Sequence, residues 1–189
     1  MPKILAFSGS ARKSSFNQQL VVIAAQGARA AGADVTVINL ADYPMPIFDE
    51  DLEVSEGMPA AAKAFKQLLI DHDGLLIASP EYNSAFSPLL KNAIDWATRP
   101  FGPDIKSAPP FAGKYAAIMA TSPGGLGGLR GLVFLRLLLS NIAVTVMPSQ
   151  HAVPHAATVF DADGSLSDTQ MQQKIMDLGK ALAQELLKK

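Results

Sequence analysis

Cysteine is absent from the 189-residue sequence. Disulfide bonds, thiolate metal sites and cysteine nucleophiles are therefore excluded, and a cysteine-dependent phosphatase is excluded with them. An excess of one charge is also missing, because 16 basic and 17 acidic residues leave a formal net charge of −1. Nucleic-acid-binding surfaces normally show a basic excess or stripe, so we expect no nucleic-acid partner.

Long apolar runs are missing as well. The apolar stretch 132–139 is interrupted by Arg136 and is too short to span a bilayer, so we expect no membrane association. The first residues lead into a strand pattern without the charged start and apolar core of a signal peptide. These features predict a cytoplasmic protein, and the length predicts a single domain over residues 1–189.

The residues that are present alternate between strand and helix patterns. Apolar or β-branched runs predict five strands, at 4–7, 35–40, 75–78, 115–120 and 143–147. Helical patterns follow at 16–31, 59–71, 88–97 and 132–141, and a last helix is predicted from a cap at Ser167 to Leu187. Segments 41–57 and 99–113 are predicted loops, and 150–163 is predicted to be irregular or to contain a short edge strand. This order predicts a doubly wound, three-layer α/β sandwich around a parallel sheet.

Three loops of unusual composition follow the first, third and fourth predicted strands, at 8–17, 79–87 and 121–131. Ligands of open parallel sheets bind beyond the carboxyl ends of the strands, where the strand order reverses. We therefore expect these three loops to meet and to form a binding site.

The first loop has the composition of a phosphate site. Gly9 permits a tight turn, and serine hydroxyls at Ser8, Ser10 and Ser15 offer hydrogen-bond donors beside a helix N-terminus. Arg12 adds a charge-assisted hydrogen bond worth roughly 1.5–3 kcal/mol, against about 0.3–1 kcal/mol for the helix end alone. An ordinary strand–turn–helix with Ser15 as its cap would show the same residues. The P-loop and dinucleotide fingerprints are absent, which favours a phosphate ligand smaller than a dinucleotide.

The second and third loops suit a planar ligand. Tyr82 offers an aromatic wall and Asn83 offers a donor and an acceptor, although Tyr82 packing on prolines and an Asx turn at Asn83 would look the same. In the third loop, four glycines between Ser122 and Gly128 allow the backbone to approach a ligand closely. A flexible connector remains the alternative for that loop.

Taken in order, these motifs resemble the NADPH-dependent FMN reductase family, which includes bacterial quinone, chromate and azo-dye reductases. The resemblance is carried by Gly9-Ser10-x-Arg12-x-x-Ser15-x-Asn17, Pro80-Glu81-Tyr82-Asn83, Leu90-Lys91-Asn92-Ala93-Ile94-Asp95-Trp96, Ser122-Pro123-Gly124 and Phe160-Asp161-Ala162-Asp163-Gly164-Ser165-Leu166. It covers almost the whole chain. The resemblance is specific for the family, but it is only weak evidence for which electron acceptor is physiological.

The resemblance implies a flavodoxin-like fold whose five-stranded parallel sheet has the order 2-1-3-4-5 and binds FMN. It implies that the FMN phosphate is held by Ser10, Arg12, Ser15, Phe16 and Asn17. It also implies that the ring system is lined by Pro80, Glu81, Tyr82, Asn83, Ser84, Ser122, Gly124 and Gly125. Members are usually homodimers or homotetramers. The acidic stretch 49–52 is a weaker match that would serve such a contact, and a solvated charged loop is the alternative for it.

The implied activity is an NAD(P)H oxidoreductase that passes hydride through FMN to quinones or other small electron acceptors. No side chain is then needed as an acid or base, and Tyr82 is a candidate for stacking on the substrate. A flavodoxin-type electron carrier is the rival interpretation, and a flavin-free phosphate-compound binder on the same fold is a third. No metal site is expected, because Pro154 interrupts any helix that would align His151 with His155.

Overall fold

The computed structural model describes residues 1–102 and 108–188, so part of the predicted loop 99–113 lies outside the described residues. The strands are β1 (Lys3–Ser8), β2 (Asp34–Val37), β3 (Gly74–Ala78), β4 (Glu81–Tyr82), β5 (Ala85–Phe86), β6 (Tyr115–Thr121), β7 (Thr145–Val146) and β8 (His151–Val153). The helices are α1 (Phe16–Ala30), α2 (Glu50–Glu56), α3 (Ala60–Asp71), α4 (Pro88–Thr98), α5 (Leu129–Asn141), α6 (Ala156–Val159) and α7 (Thr169–Leu186).

The central sheet is parallel and has the order β2-β1-β3-β6-β7, with β8 also paired to β6. This confirms the predicted fold class and the order of the predicted strands. β1 lies at the point where the winding direction reverses, with β2 on one side and β3 on the other. The carboxyl ends of β1, β3 and β6 therefore lie side by side, as the placement of the three loops requires.

The sheet is covered on both faces, which is why its central strands are apolar throughout. Ile4 and Ala6 of β1 belong to a core shared with α1 and α7. Leu5 and Phe7, which alternate with them, belong to a core shared with α3, α4 and α5. The period-two geometry of a strand thus sends neighbouring residues into opposite layers.

The bounds predicted for the last strand, 143–147, are wrong. The structure divides this edge into β7 and β8, which pair with different parts of β6, so the sheet has six strands where five were expected. Ala143 has a left-handed backbone (φ 62°) and turns the chain before β7 begins. The edge strand considered for 150–163 is β8, and that stretch also contains α6.

Several other boundaries also differ from prediction. The loop predicted at 41–57 contains α2, which Asp49 caps by accepting hydrogen bonds from the backbone N–H groups of Asp51 and Leu52. The second strand ends at Val37, and Leu40–Asp42 forms a short 3₁₀ turn. The last helix is capped by Asp168 and not by Ser167, because the Asp168 carboxylate accepts from Gln170 and Met171.

Candidate active site

The carboxyl ends of β1, β3 and β6 enclose an open cavity of about 220 Å³. Residues from all three predicted loops line it: Ser10, Arg12, Ser15, Phe16, Asn17, Pro80, Glu81, Tyr82, Thr121, Ser122 and Pro123. The structure therefore brings together most of the residues predicted for the site. Asn83, Ser84, Gly124 and Gly125 do not line this cavity and lie in the loops that border it.

The first loop is organised by hydrogen bonds between near neighbours. Ser10 N donates to Ser8 Oγ at 3.1 Å, and Arg12 N donates to Ser10 Oγ at 3.4 Å. The Arg12 guanidinium donates to the Ser14 carbonyl at 3.0 Å and lies 5.3 Å from the centre of the Phe16 ring. A guanidinium has five N–H donors, so this arrangement holds Arg12 at the mouth of the cavity with donors remaining for an anion.

Ser15 is buried and caps α1, since its Oγ accepts a hydrogen bond from Gln18 N at 3.2 Å. The cap interpretation of Ser15 is therefore right, and it is compatible with ligand binding because the hydroxyl hydrogen remains a donor. The N–H groups of Phe16 and Asn17 lie in the first turn of α1, where helix geometry supplies no acceptor. Together these groups make the cavity floor a suitable place for a phosphate.

Asn17 has a structural contact that the sequence did not reveal. Its Oδ1 accepts from Thr121 N at 3.0 Å, and its Nδ2 donates to Thr121 O at 2.9 Å. Both partners are buried. The amide of Asn17 thereby fixes the start of α1 to the end of β6, and this sets the spacing between the first and third loops.

The second loop is a β-hairpin formed by β4 and β5. Its two turn residues, Asn83 and Ser84, have φ values of 51° and 69°, as a type I′ turn requires. Asparagine tolerates this left-handed backbone better than most residues. The hairpin holds Tyr82 at the cavity edge with 56% of its surface exposed, so its ring is open to a ligand.

Glu81 lines the cavity, and its carboxylate is bound by residues at the start of α5. Oε1 accepts from Arg130 Nε at 2.8 Å, and Oε2 accepts from Gly131 N at 3.1 Å. Burial acts to raise the pKa of Glu81, but the hydrogen bonds and charge of Arg130 outweigh it and leave the pKa below its ordinary value. Glu81 is thus ionised at neutral pH and joins the hairpin to the first turn of α5.

The glycines of the third loop differ in what surrounds them. Gly127 has φ 60°, and a Cβ there would lie 2.6 Å from the Val153 carbonyl carbon, so this position needs glycine for packing. A Cβ on Gly124 or Gly125 would have its nearest neighbour at 3.8 Å, which is ordinary contact. The open backbone is therefore at Gly124 and Gly125, the two glycines predicted to border the ligand.

Asn92 and Trp96, two residues of the motif at 90–96, lie away from the cavity. Both donate to the Pro46 carbonyl at 2.8 Å, and Asn92 Oδ1 also accepts from Phe48 N at 2.8 Å. Trp96 is fully buried against Met58 and Ala62. Trp96 therefore serves core packing and does not line the cavity.

Within residues 1–102 and 108–188, no group of three histidine, cysteine, aspartate or glutamate side chains could hold a metal ion. None of the helices in this part of the chain has the length and apolar character needed to cross a membrane.

Comparison with known proteins identifies the family. Residues 2–158 match the model of the NADPH-dependent FMN reductase family. The chain is 34% identical over 176 residues to an NADPH:quinone oxidoreductase of Arabidopsis thaliana, covering 92% of this chain and 86% of that one. It is 35% identical over 166 residues to a 2-hydroxy-1,4-benzoquinone reductase of a Burkholderia species, covering 87% of this chain and 85% of that one.

Among solved structures, the fold matches FerB of Paracoccus denitrificans, a flavoenzyme NAD(P)H:(acceptor) oxidoreductase. The TM-score is 0.82 at 27% identity, and the match covers 100% of this chain and 98% of FerB. This chain belongs to the NADPH-dependent FMN reductase family, and it is an oxidoreductase.

Proposed function

We propose that this protein binds FMN in the cavity between its three loops and reduces quinones with hydride from NADPH or NADH. Other small acceptors, azo dyes and chromate among them, fall within the same proposal. The observation that carries it is the meeting of an anion site at Ser10, Arg12 and Ser15 with an aromatic wall at Tyr82 in one cavity. A phosphate joined to a planar ring system fits that combination.

The donor set suits FMN at both ends. The phosphate is assigned to Ser10, Arg12, Ser15, Phe16 and Asn17, of which the last two act through first-turn N–H groups. The ring system is assigned to the hairpin residues 80–84 and to Ser122, Gly124 and Gly125. Bound FMN supplies the hydride chemistry, while the chain binds and orients it.

The loop backbone has a further part in this proposal. N–H groups near Asn83 and Gly124 lie at the border of the cavity and offer dipoles to negative charge on the ring. Tyr82, exposed at the mouth, is assigned to stacking on the acceptor molecule. The hairpin and the third loop are held in place by Glu81, Arg130 and Gly131, so these groups are positioned before a ligand arrives.

The test is an absorbance spectrum of the FMN-reconstituted protein under anaerobic conditions. We expect NADPH or NADH to bleach the flavin band and benzoquinone to restore it. Bound FMN that neither nucleotide bleaches would favour an electron carrier. Failure to bind FMN would contradict the assignment of all three loops.

We further propose that the protein is a single-domain, cytoplasmic homodimer or homotetramer. In support, α5 has an apolar outer side: Val133 and Leu137 are 59% and 67% exposed, and Leu126, Leu129 and Phe134 are exposed beside them. Exposed apolar patches of this kind mark contacts between proteins. The other side of α5, at Leu132, Leu135 and Leu139, is packed in the core.

Introducing a charge on this face should dissociate the oligomer. We expect Leu137→Glu to shift the mass measured by light scattering toward the monomer, because a carboxylate would be buried without a partner. Leu187→Glu, at an exposed leucine after α7, is the matched control and should leave the mass unchanged. A wild-type protein that is monomeric at micromolar concentration would contradict the proposed assembly.

A further inference from the structure

We propose that His155 is the proton donor to the quinone oxygen in the reaction proposed above. The proposal therefore rests on that function, and it adds a residue that the sequence did not single out for catalysis. His155 follows β8 and Pro154 and begins α6, at the border of the glycine-rich third loop. It revises the expectation that no side chain serves as an acid.

Two backbone bonds place His155 against the third loop. His155 N donates to the Gly124 carbonyl at 3.4 Å, and Ala156 N donates to the Ser122 carbonyl at 3.0 Å. The ring atom Cε1 lies 3.8 Å from the position that a Cβ on Gly125 would occupy. The imidazole thus lies close to the open backbone at Gly125, in the loop that borders the cavity, and the ring does not itself line the cavity.

The backbone of His155 is itself unusual. Its φ and ψ are 57° and 40°, in the left-handed region that asparagine and glycine adopt more readily than histidine. Holding a histidine there costs of order 1 kcal/mol, and such residues cluster at functional sites. His155 is exposed, so its side chain is accessible to solvent.

Three titratable residues line the cavity, and none of them suits this task. Tyr82 is assigned above to stacking on the acceptor molecule, and a tyrosine hydroxyl is a much weaker acid than an imidazolium. Arginine does not lose its proton in proteins, so Arg12 cannot act as an acid. Glu81 carries no proton at neutral pH, because its pKa is lowered by Arg130 despite burial. Histidine is the side chain whose charge normally changes between about pH 5 and 8, which suits a proton donor near neutrality.

His155 also borders a second, small cavity of about 120 Å³, which shares no lining residue with the cavity of the three loops and is otherwise lined by Asp168, Pro154 and apolar side chains. The Asp168 carboxylate caps α7, where it accepts from Gln170 and Met171.

The proton step balances the reaction. A quinone that has accepted a hydride from NAD(P)H by way of FMN holds two new electrons and one anionic oxygen. The N–H bond of the His155 imidazolium breaks as the O–H bond of the hydroquinone forms. Neutral His155 then takes a proton from solvent, so that NAD(P)H, one proton and the quinone give NAD(P)⁺ and the hydroquinone.

The first experiment tests whether the His155 ring lies near bound FMN, and it requires no turnover. The chain has three histidines, so their Cε1–H resonances can be separated by NMR. We expect FMN addition to shift the His155 resonance. The His72 resonance should stay in place, since that ring contacts Leu68 O just before β3, at the opposite end of the sheet. An unmoved His155 resonance with FMN bound would overturn the proposal.

The second experiment uses His155→Asn, which tolerates the same backbone, and His155→Gly, which removes its strain. Re-oxidation of the reduced protein by benzoquinone should slow by roughly a hundredfold in both variants, as for loss of a general acid. Re-oxidation by ferricyanide, which needs no proton, should change less than twofold, and so should the Kd for FMN. His151→Asn is the matched control and should match the wild type with both acceptors.

The possible outcomes distinguish the proposed role of His155 from the proposed function on which it rests. Wild-type protein that NADPH and NADH both fail to reduce would contradict the proposed function. Normal wild-type reduction together with unchanged benzoquinone rates in both variants would overturn the role of His155 alone. Equal losses with benzoquinone and ferricyanide would also overturn it, because they would show that His155 only supports the loop.

Discussion

The first loop, residues 8–17, and the segment 43–57 are both connections at the carboxyl edge of the sheet, and they differ in how their middle residues are held. Long-range bonds anchor the first loop at its two ends, between Gly9 and both Ala78 and Ser87, and between Asn17 and Thr121. The side-chain bonds at Ser8, Ser10 and Arg12 join residues two positions apart. The segment 43–57 is held by α4, through bonds from Asn92 and Trp96 to Pro46 and an ion pair between Arg99 and Glu53.

This difference in bonding indicates which property of the protein each connection affects. Between the anchors at Gly9 and Asn17, local bonds shape the first loop and leave its charged and hydroxyl groups at the cavity. Changes at residues 10–14 should therefore affect ligand binding more than stability. Long-range bonds to a buried tryptophan make segment 43–57 part of the packed structure, so changes there should affect stability first. The predictions below test this separation.

Trp96→Phe should have the largest effect on stability. Trp96 is fully buried, donates to the Pro46 carbonyl and meets Phe48 edge-on, with ring centres 5.0 Å apart. Loss of volume and of the indole N–H should lower the free energy of unfolding by about 2–3 kcal/mol, measured in urea. Lys91→Ala, on the exposed side of α4, is the control and should cost less than about 0.5 kcal/mol.

Two results would contradict the expectation that Trp96 affects stability more than ligand binding. One is a Trp96→Phe variant as stable as the wild type. The other is a folded Trp96→Phe variant whose FMN affinity falls more than that of a first-loop variant.

Arg12→Ala should show the reverse pattern. We expect the Kd for FMN to rise at least tenfold, or about 1.4 kcal/mol, because a charge-assisted contact with the phosphate is lost. The free energy of unfolding should change by less than about 0.5 kcal/mol, since the Arg12 side chain is exposed and its contacts are with the Ser14 carbonyl and the Phe16 ring nearby in the chain. Lys13→Ala, the neighbouring exposed cation, serves as control and should bind FMN within twofold of the wild type.

Glu81→Gln should have the smallest effect, and that effect should depend on pH. The folded-state pKa of Glu81 lies below its ordinary value of 4.5, so ionised Glu81 stabilises the fold above that pH and the contribution is lost as the pH falls through the folded pKa. Since Arg130 is 58% exposed, we expect a difference of at most about 1 kcal/mol at pH 7. Unfolding measured from pH 7 to pH 3 should show wild type and variant converging, and a constant difference would contradict this role.

The central strands and the three loops could be predicted because the signals for them are local, whereas the strand order was implied by the family resemblance. Apolar runs such as 75–78 and turn residues such as Pro80 appear directly in the sequence. α2 was missed among prolines and acidic residues, although Asp49 followed by acidic residues is a helix-start pattern that could have revealed it.

Other features depend on contacts between distant residues and could not be found this way. The hydrogen-bonded residues Asn17 and Thr121 are 104 positions apart in the sequence, and Glu81 and Arg130 are 49 positions apart. The left-handed backbone of His155 is likewise set by bonds to the third loop. The sequence indicated which residue types surround the cavity, whereas the packing decides which of them remain open to a ligand.

The most direct test of the cavity assignment compares FMN with riboflavin, which lacks the phosphate, in a fluorescence titration of the wild type and Arg12→Ala. We predict that the wild type binds FMN at least tenfold more tightly than riboflavin, and that Arg12→Ala removes most of this difference while leaving riboflavin affinity unchanged. Equal affinities of the wild type for the two flavins would contradict the account, because the first loop would then hold no phosphate.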